Sequence, residues 1–268
     1  MKGNALQIAV ILLVTILTIP GIITAHESGQ ADPSIKNGND LIYKALVSYD
    51  VNSMLNARKE FEDLLKKDSL NAFALYGLTF SEYKLLEMNM QKGGKELFNK
   101  YYQPAIDDAS RLATLKEYSS EGHSLLAAVY MMKIATDPMS AVALAPKIYG
   151  LLSEAENEKP ENPETYVILG QMKFNTPAMF GGSFKDAVKS FSKAEALFEK
   201  GADSQMVNVK WGMLESLAWL GRSFEKLNNF DAARFTYQKA MTLEPEFGWV
   251  KYQLLPALEN GQDTTESK

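Results

Sequence analysis

The chain has 268 residues, of which 46% are hydrophobic and 23% are charged, and this composition argues against a multi-span membrane protein or a disordered chain. Its formal net charge of -5 gives no basic footprint for nucleic acid. Cysteine is absent and only two histidines occur, which excludes disulfides, Cys-ligated metals and Cys nucleophiles and nearly excludes His-dependent catalysis. We therefore expect a protein that is not an enzyme, holds no cofactor and binds no nucleic acid.

The N-terminus has the three-part layout of a secretory signal peptide. Lys2 supplies a positive charge, an apolar stretch covers residues 5–19, and the small Ala25 precedes a polar segment. We expect cleavage after Ala25, so that residues 1–25 are the signal peptide of a periplasmic or secreted protein. The alternative is an uncleaved anchor, because residues 6–25 are long enough to span a bilayer and would then make the protein's membrane contact.

The polar residues 26–39 are expected to form a flexible linker to a helical domain over residues 40–259. In that domain the apolar residues recur at the spacing of amphipathic helices, and no stretch shows the sustained alternation typical of a β-strand. Breaks rich in Pro, Gly and Asn separate about ten or eleven such stretches. We therefore predict an all-α fold of consecutive antiparallel helix pairs, followed by a disordered polar tail over residues 260–268.

The most specific internal pattern covers residues 217–245. Its characteristic positions are Leu220-Gly221, Phe224, Ala233, Tyr237, Ala240 and Pro245. This spacing resembles the 34-residue tetratricopeptide repeat, which is a pair of packed helices. Small residues at 221 and 233 are expected where the two helices cross closely, and the large side chains of Phe224 and Tyr237 are expected to fill the seam between pairs.

An earlier unit repeats this pattern. Its matching positions are Tyr166, Leu169-Gly170, Ala187, Phe191 and Ala194. The best-matched repeats are about 163–199 and 214–247, and the match is weak over residues 41–160. The resemblance implies a right-handed α-α superhelix, a TPR-like solenoid of about four to five helix pairs with a C-terminal capping helix. It also implies a scaffold whose concave groove binds a peptide or protein partner.

An insert over residues 175–184 separates the two helices of the earlier unit. Pro177 stops the first helix, and Gly181 and Gly182 permit positive φ, so we expect a stiff, shaped loop. Two interpretations of Phe180 are open: its ring plugs the end of the helix pair, or it contacts a ligand or partner at the mouth of the groove.

The sequence of this insert resembles a segment of exported bacterial tetratricopeptide proteins. Among these proteins are the periplasmic T components of TRAP-type transporters. The resemblance implies an alternative function for the chain, a periplasmic small-ligand-binding accessory of a TRAP-like uptake system.

The candidate binding face consists of Gln171, Trp219 and Arg222. By analogy with the repeat, all three project from first helices toward the concave side, and Trp and Arg are common anchors at binding interfaces. The alternative for Trp219 is packing against the neighbouring repeat. An open groove would favour a peptide partner, whereas a closed apolar pocket with a few polar groups would favour a small ligand.

Overall fold

A computed structural model describes residues 33–91, 95–201 and 209–263, and within these ranges the chain forms eleven α-helices and no β-strand. The helices are α1 (Pro33–Ser48), α2 (Val51–Lys67), α3 (Ala72–Gln91), α4 (Glu96–Ala113), α5 (Ser119–Thr136), α6 (Ala141–Glu158), α7 (Pro163–Asn175), α8 (Phe184–Glu199), α9 (Val209–Lys226), α10 (Phe230–Leu243) and α11 (Leu255–Asp263). Short 3-10 turns cover Pro138–Ser140 and Ala178–Phe180, and a π-helical turn covers Val250–Leu254. The all-α prediction is confirmed.

The helical domain extends further at both ends than we predicted. Helix α1 begins at Pro33, so helix replaces the expected linker from that residue onward. The physical reason is that Ile35, Ile42 and Ala45 recur at helical spacing and are buried against the rest of the domain. At the other end, α11 runs to Asp263, into the tail that we expected to be disordered. The predicted signal peptide lies outside the described residues.

The helices pack as five consecutive pairs, from α1/α2 to α9/α10, followed by the capping helix α11. The first helices of successive pairs contact one another and line the inner face of the superhelix. The second helix of each pair also packs on the first helix of the next pair, with one exception. Helix α6 packs on α5 of its own pair but barely contacts α7 of the next pair. As a consequence, α6 has a surface that no neighbouring helix covers.

Close helix crossing within the pairs depends on glycine. A Cβ on Gly221 would lie 2.7 Å from Cδ1 of Tyr237, and a Cβ on Gly170 would lie 2.6 Å from Cε1 of Phe191. A side chain at either position would therefore push the two helices apart. Tyr237 fills the space over Gly221 within its own pair, and this corrects our expectation that it fills the seam between pairs.

The superhelix closes on itself, because α1 contacts α9 of the last pair. The Tyr43 hydroxyl of α1 donates a hydrogen bond to the Glu244 carboxylate, which follows α10. Val250 and Leu258 of the C-terminal segment are buried in the same apolar cluster as α9 and α10. None of the helices in the described ranges has the length and apolarity needed to cross a lipid bilayer.

Candidate functional site

The structure buries Gln171 between the inner helices. Its Nε2 donates to Oε1 of Glu215 on α9 at 2.9 Å, and the Tyr83 hydroxyl of α3 donates to its Oε1 at 3.3 Å. Gln171 therefore joins three first helices across the inner face, and it is not available to a partner from solvent.

The same inner face holds a buried ammonium group that sequence reasoning missed. Lys84 of α3 is only 3% exposed, and its Nζ lies 2.8 Å from both carboxylate oxygens of Glu215 and 2.8 Å from Oε2 of Glu87. Burial lowers the pKa of Lys84, but the two carboxylates outweigh burial and raise that pKa well above its ordinary value. In the sequence, the sign of this buried charged group was a single lysine within the largely apolar α3.

Trp219 belongs to an aromatic cluster inside the last two pairs. Its side chain is 8% exposed, and its ring packs edge-on against Phe174 and Trp249, with centroids 5.2 and 5.4 Å away. The Arg222 guanidinium stacks on the Trp219 ring at 4.3 Å from its centroid. The structure thus brings Trp219 and Arg222 together, one turn of α9 beyond the Glu215 network that holds Gln171.

Small cavities lie along the inner face in the described part of the chain, and two of them adjoin the buried charged groups. The larger, of about 40 Å³, lies beside Lys84 and is lined by Tyr49, Leu214 and Trp249 among others. The second, of about 20 Å³, lies beside Glu164. These volumes suit a few water molecules, since one water needs about 10–15 Å³.

Buried carboxyl groups with raised pKa values occur elsewhere in the core. Glu82 is fully buried and lies 2.9 Å from the guanidinium of Arg58, and burial together with the nearby Asp108 raises the pKa of Glu82 to about 8. Burial also raises the pKa of Glu164 to about 7. Each of the two carboxyl groups has a side-chain partner in the core, Arg58 for Glu82 and the Tyr76 hydroxyl for Glu164.

No group of three or more metal-ligating side chains lies together in the part of the chain that the structure describes. The side chain of His123 is largely buried, and its Nδ1 lies 3.0 Å from Oε2 of Glu158.

Helix α7 ends before Pro177, and the insert contains a glycine at positive φ, as its sequence predicted. Pro177 precedes the 3-10 turn, Gly181 adopts φ +90°, and a Cβ on Gly182 would lie 2.5 Å from the carbonyl carbon of Thr176. The Ser183 side chain then caps α8 by accepting a hydrogen bond from the backbone N–H of Asp186.

The apolar side chains of the insert point into solvent. Phe180 is 65% exposed and Met179 is 83% exposed. The interpretation of Phe180 as a plug for the helix pair is therefore wrong, because the ring does not enter the space between α7 and α8. Phe184, the first residue of α8, packs there instead, with its ring centroid 5.3 Å from that of Phe174.

The insert lies beside α6, the helix that keeps an uncovered face, and is hydrogen-bonded to it. Val142 and Tyr149 are seven positions apart and share one side of α6, and both are exposed. The Tyr149 hydroxyl donates to the backbone carbonyl of Phe180 at 3.3 Å, which joins α6 to the loop. Met139, which directly precedes α6, is exposed as well. We name the exposed apolar residues of the insert and of this part of the chain the insert surface; its members are Met139, Val142, Tyr149, Met179 and Phe180.

No known family model matches the sequence, and no curated protein matches it. A crystal structure of a thermophilic TPR protein from Thermus thermophilus is similar to the structure, with a TM-score of 0.58 over 84% of this chain and 98% of that chain. The chain has the tetratricopeptide-repeat fold. The two sequences are 18% identical, so the likeness concerns the fold. It extends over the region where the sequence pattern was weak, and it confirms the predicted tetratricopeptide-repeat architecture.

Proposed function

We propose that the chain is a non-enzymatic helical-repeat scaffold that binds a protein partner through the insert surface. Tetratricopeptide-repeat solenoids commonly serve as protein-binding scaffolds, and the fold supports that general role. The observation that carries the proposal is the exposure of five large apolar side chains on the insert and on the helix α6 that is hydrogen-bonded to it. Contiguous apolar areas on a folded protein commonly mark interaction sites.

The inner, concave face is a poorer candidate for the partner-binding site than we expected. Lys84, Glu215 and Gln171 fill it with a buried polar network, and α1 closes the superhelix against α9. A peptide on that face would have to displace α1 and leave buried charges unpaired, which is costly. We therefore place the partner on the outer side, at α6 and the insert.

A small-ligand accessory of an uptake system is the less favoured function. Ligand pockets usually measure about 300–1,000 Å³. The larger inner cavity has about 40 Å³, which is too small to enclose an organic substrate.

Substitution of Phe180 tests the proposal. We expect Phe180→Asp to reduce capture of a partner from the native envelope fraction at least thirtyfold, since truncating an anchor residue costs about 2 kcal/mol or more. Phe235→Asp is the matched control, because Phe235 is equally exposed on α10, away from the insert. Circular dichroism verifies that both variants fold. Undiminished capture by Phe180→Asp would contradict the proposal.

We also propose export of the protein, on the basis of the sequence layout of residues 1–25. N-terminal sequencing of the protein from envelope fractions should give His26 as the first residue. An intact N-terminus in washed membranes would instead support the anchor.

A further inference from the structure

Arg222 lies half-buried among three aromatic rings, near the C-terminal end of α9. Its guanidinium carbon is 4.3 Å from the centroid of the Trp219 ring, 4.9 Å from that of Phe174 and 5.7 Å from that of Trp249. Such rings hold a guanidinium by cation–π attraction and restrict its movement. They offer its N–H groups no lone pair, so the conventional hydrogen-bonding capacity of Arg222 stays unused on this side.

Arg222 has neither a hydrogen bond nor an ion pair within the described part of the chain. The Glu225 carboxylate, which lies one turn further along α9, accepts a hydrogen bond from the Tyr237 hydroxyl and forms no ion pair with Arg222. Burial lowers the pKa of Arg222, because the attraction of Tyr237 and Glu225 offsets the burial only in part. The other arginines of the chain each have a carboxylate or a backbone carbonyl as partner; they are Arg58, Arg111 and Arg234.

The same aromatic cluster holds a second donor without an acceptor. The Trp219 side chain is 8% exposed, and its Nε1 is buried without a hydrogen-bond partner among the residues that the structure describes. A buried donor that lacks a partner costs free energy, and a half-buried charge without a counter-charge costs more. The guanidinium that lies on this indole ring therefore shares its surroundings with another unused donor, and what the cluster lacks is an acceptor.

We propose that Arg222 binds the carboxylate of a ligand whose adjoining apolar group packs on this aromatic cluster. A planar guanidinium matches a carboxylate, because the two groups can form two parallel hydrogen bonds. One guanidinium also balances the single charge of one carboxylate. Phe184 offers the apolar contact, since it is 36% exposed and its ring packs against Phe174. The inference is independent of the proposed function, because none of these residues belongs to the insert surface.

Two pairs of probes test the proposal, and each pair consists of an acid and its uncharged amide. The first pair is phenylacetate and phenylacetamide, and the second is an acetylated tetrapeptide ending in Phe with a free or an amidated C-terminus. Trp219 and Trp249 report binding by their fluorescence, since Arg222 lies against both rings. We expect an acid to bind roughly tenfold more tightly than its amide, because hydrogen bonds to a charged acceptor are the stronger ones. A preference in the first pair alone identifies a small organic acid, and a preference in the second identifies the end of a peptide chain.

Replacing Arg222 supplies the matched variants. Arg222→Gln removes the charge and should abolish the preference for the acid. The control is Arg234→Gln, which changes the net charge equally at a half-buried arginine of α10 that lies 3.9 Å from the Asp231 carboxylate. Circular dichroism verifies that both variants fold. An equal loss of the preference in the control would overturn the proposal, because net charge would then explain the effect.

The unmodified protein can refute the proposal without any variant. Equal affinities for acid and amide in both pairs of probes would show that Arg222 only covers the aromatic cluster. Inorganic phosphate is a further probe, and tighter binding of phosphate than of either acid would overturn the carboxylate in favour of a phosphoryl group. A preference for the acid that persists in Arg222→Gln would place the carboxylate elsewhere on the protein and would also overturn the assignment.

Discussion

Replacing Gly221 by Ala tests whether close helix crossing holds the last pair together. The new Cβ would lie 2.7 Å from Cδ1 of Tyr237 and closer still to Cε1. Tyr237 cannot move away easily, because its ring is fully buried and its hydroxyl is bonded to the Glu225 carboxylate. The two helices must therefore separate or the ring must leave its position.

The expected free-energy change is the difference between two effects. Overpacking a core costs about 1–3 kcal/mol, whereas Ala in place of a helical Gly gains roughly 1 kcal/mol. We expect Gly221→Ala to lose about 1 kcal/mol of unfolding free energy. Gly150→Ala on α6 is the matched control, since a Cβ there meets no atom within 4 Å. The control variant gains the higher helix propensity of Ala without any overpacking, so it should stabilise the protein by up to about 1 kcal/mol.

Thermal unfolding followed by circular dichroism measures the contrast. The two variants differ by roughly 2 kcal/mol, and each kcal/mol shifts Tm by about 2–4 °C in a chain of this size, so Tm values should differ by about 4–8 °C. The double variant Gly221→Ala, Tyr237→Leu should recover part of the loss, because the shorter side chain makes room for the Cβ. Equal Tm values for Gly221→Ala and Gly150→Ala would refute the reasoning.

Three further predictions concern the buried residues. The pKa of Glu82 is about 8 in the folded state, against 4.5 for an unperturbed Glu, so the folded state holds its proton more tightly than the unfolded state does. The free energy of unfolding should therefore fall as the pH rises from 5 to 8, by at most about 1.4 kcal/mol per pH unit. Urea unfolding of Glu82→Gln at both pH values should lack this part of the slope, and an unchanged slope would contradict the assignment. Trp219→Ala should lower the free energy of unfolding, measured in urea, by about 3–5 kcal/mol, whereas Phe235→Ala on the exposed side of α10 should lower it by less than about 1 kcal/mol. Equal losses would contradict the burial of Trp219 and favour its predicted place on the binding face. Lys84→Met should lower the free energy of unfolding by about 3–5 kcal/mol, because it leaves the Glu215 carboxylate buried without its ionic partner. The double variant Lys84→Met, Glu215→Leu should be more stable than the single variant. A double variant no more stable than the single one would show that the pair is not the source of the cost.

Local periodicity in the sequence was sufficient to predict the helices and their pairing. Apolar spacing identifies amphipathic helices, because a helix buries one face regardless of what packs on it. The close helix crossing at Gly221 was also predictable, since small residues recur at fixed positions within each repeat, whereas Tyr237 was expected in the seam between pairs. Pro177 and Gly181 likewise act through backbone geometry alone, so their effect on the insert could be predicted.

The site depends on contacts that no local pattern contains. Lys84 and Glu215 are 131 residues apart, and only the closure of the superhelix brings them together and fills the inner face. Trp219 lies on a first helix, as predicted, yet the C-terminal segment and α7 cover it. Phe180 is exposed because α6 barely contacts α7, so that no helix covers its ring. Sequence periodicity thus determined which residues form helices, whereas packing between distant helices decided which of their faces remain open to a partner.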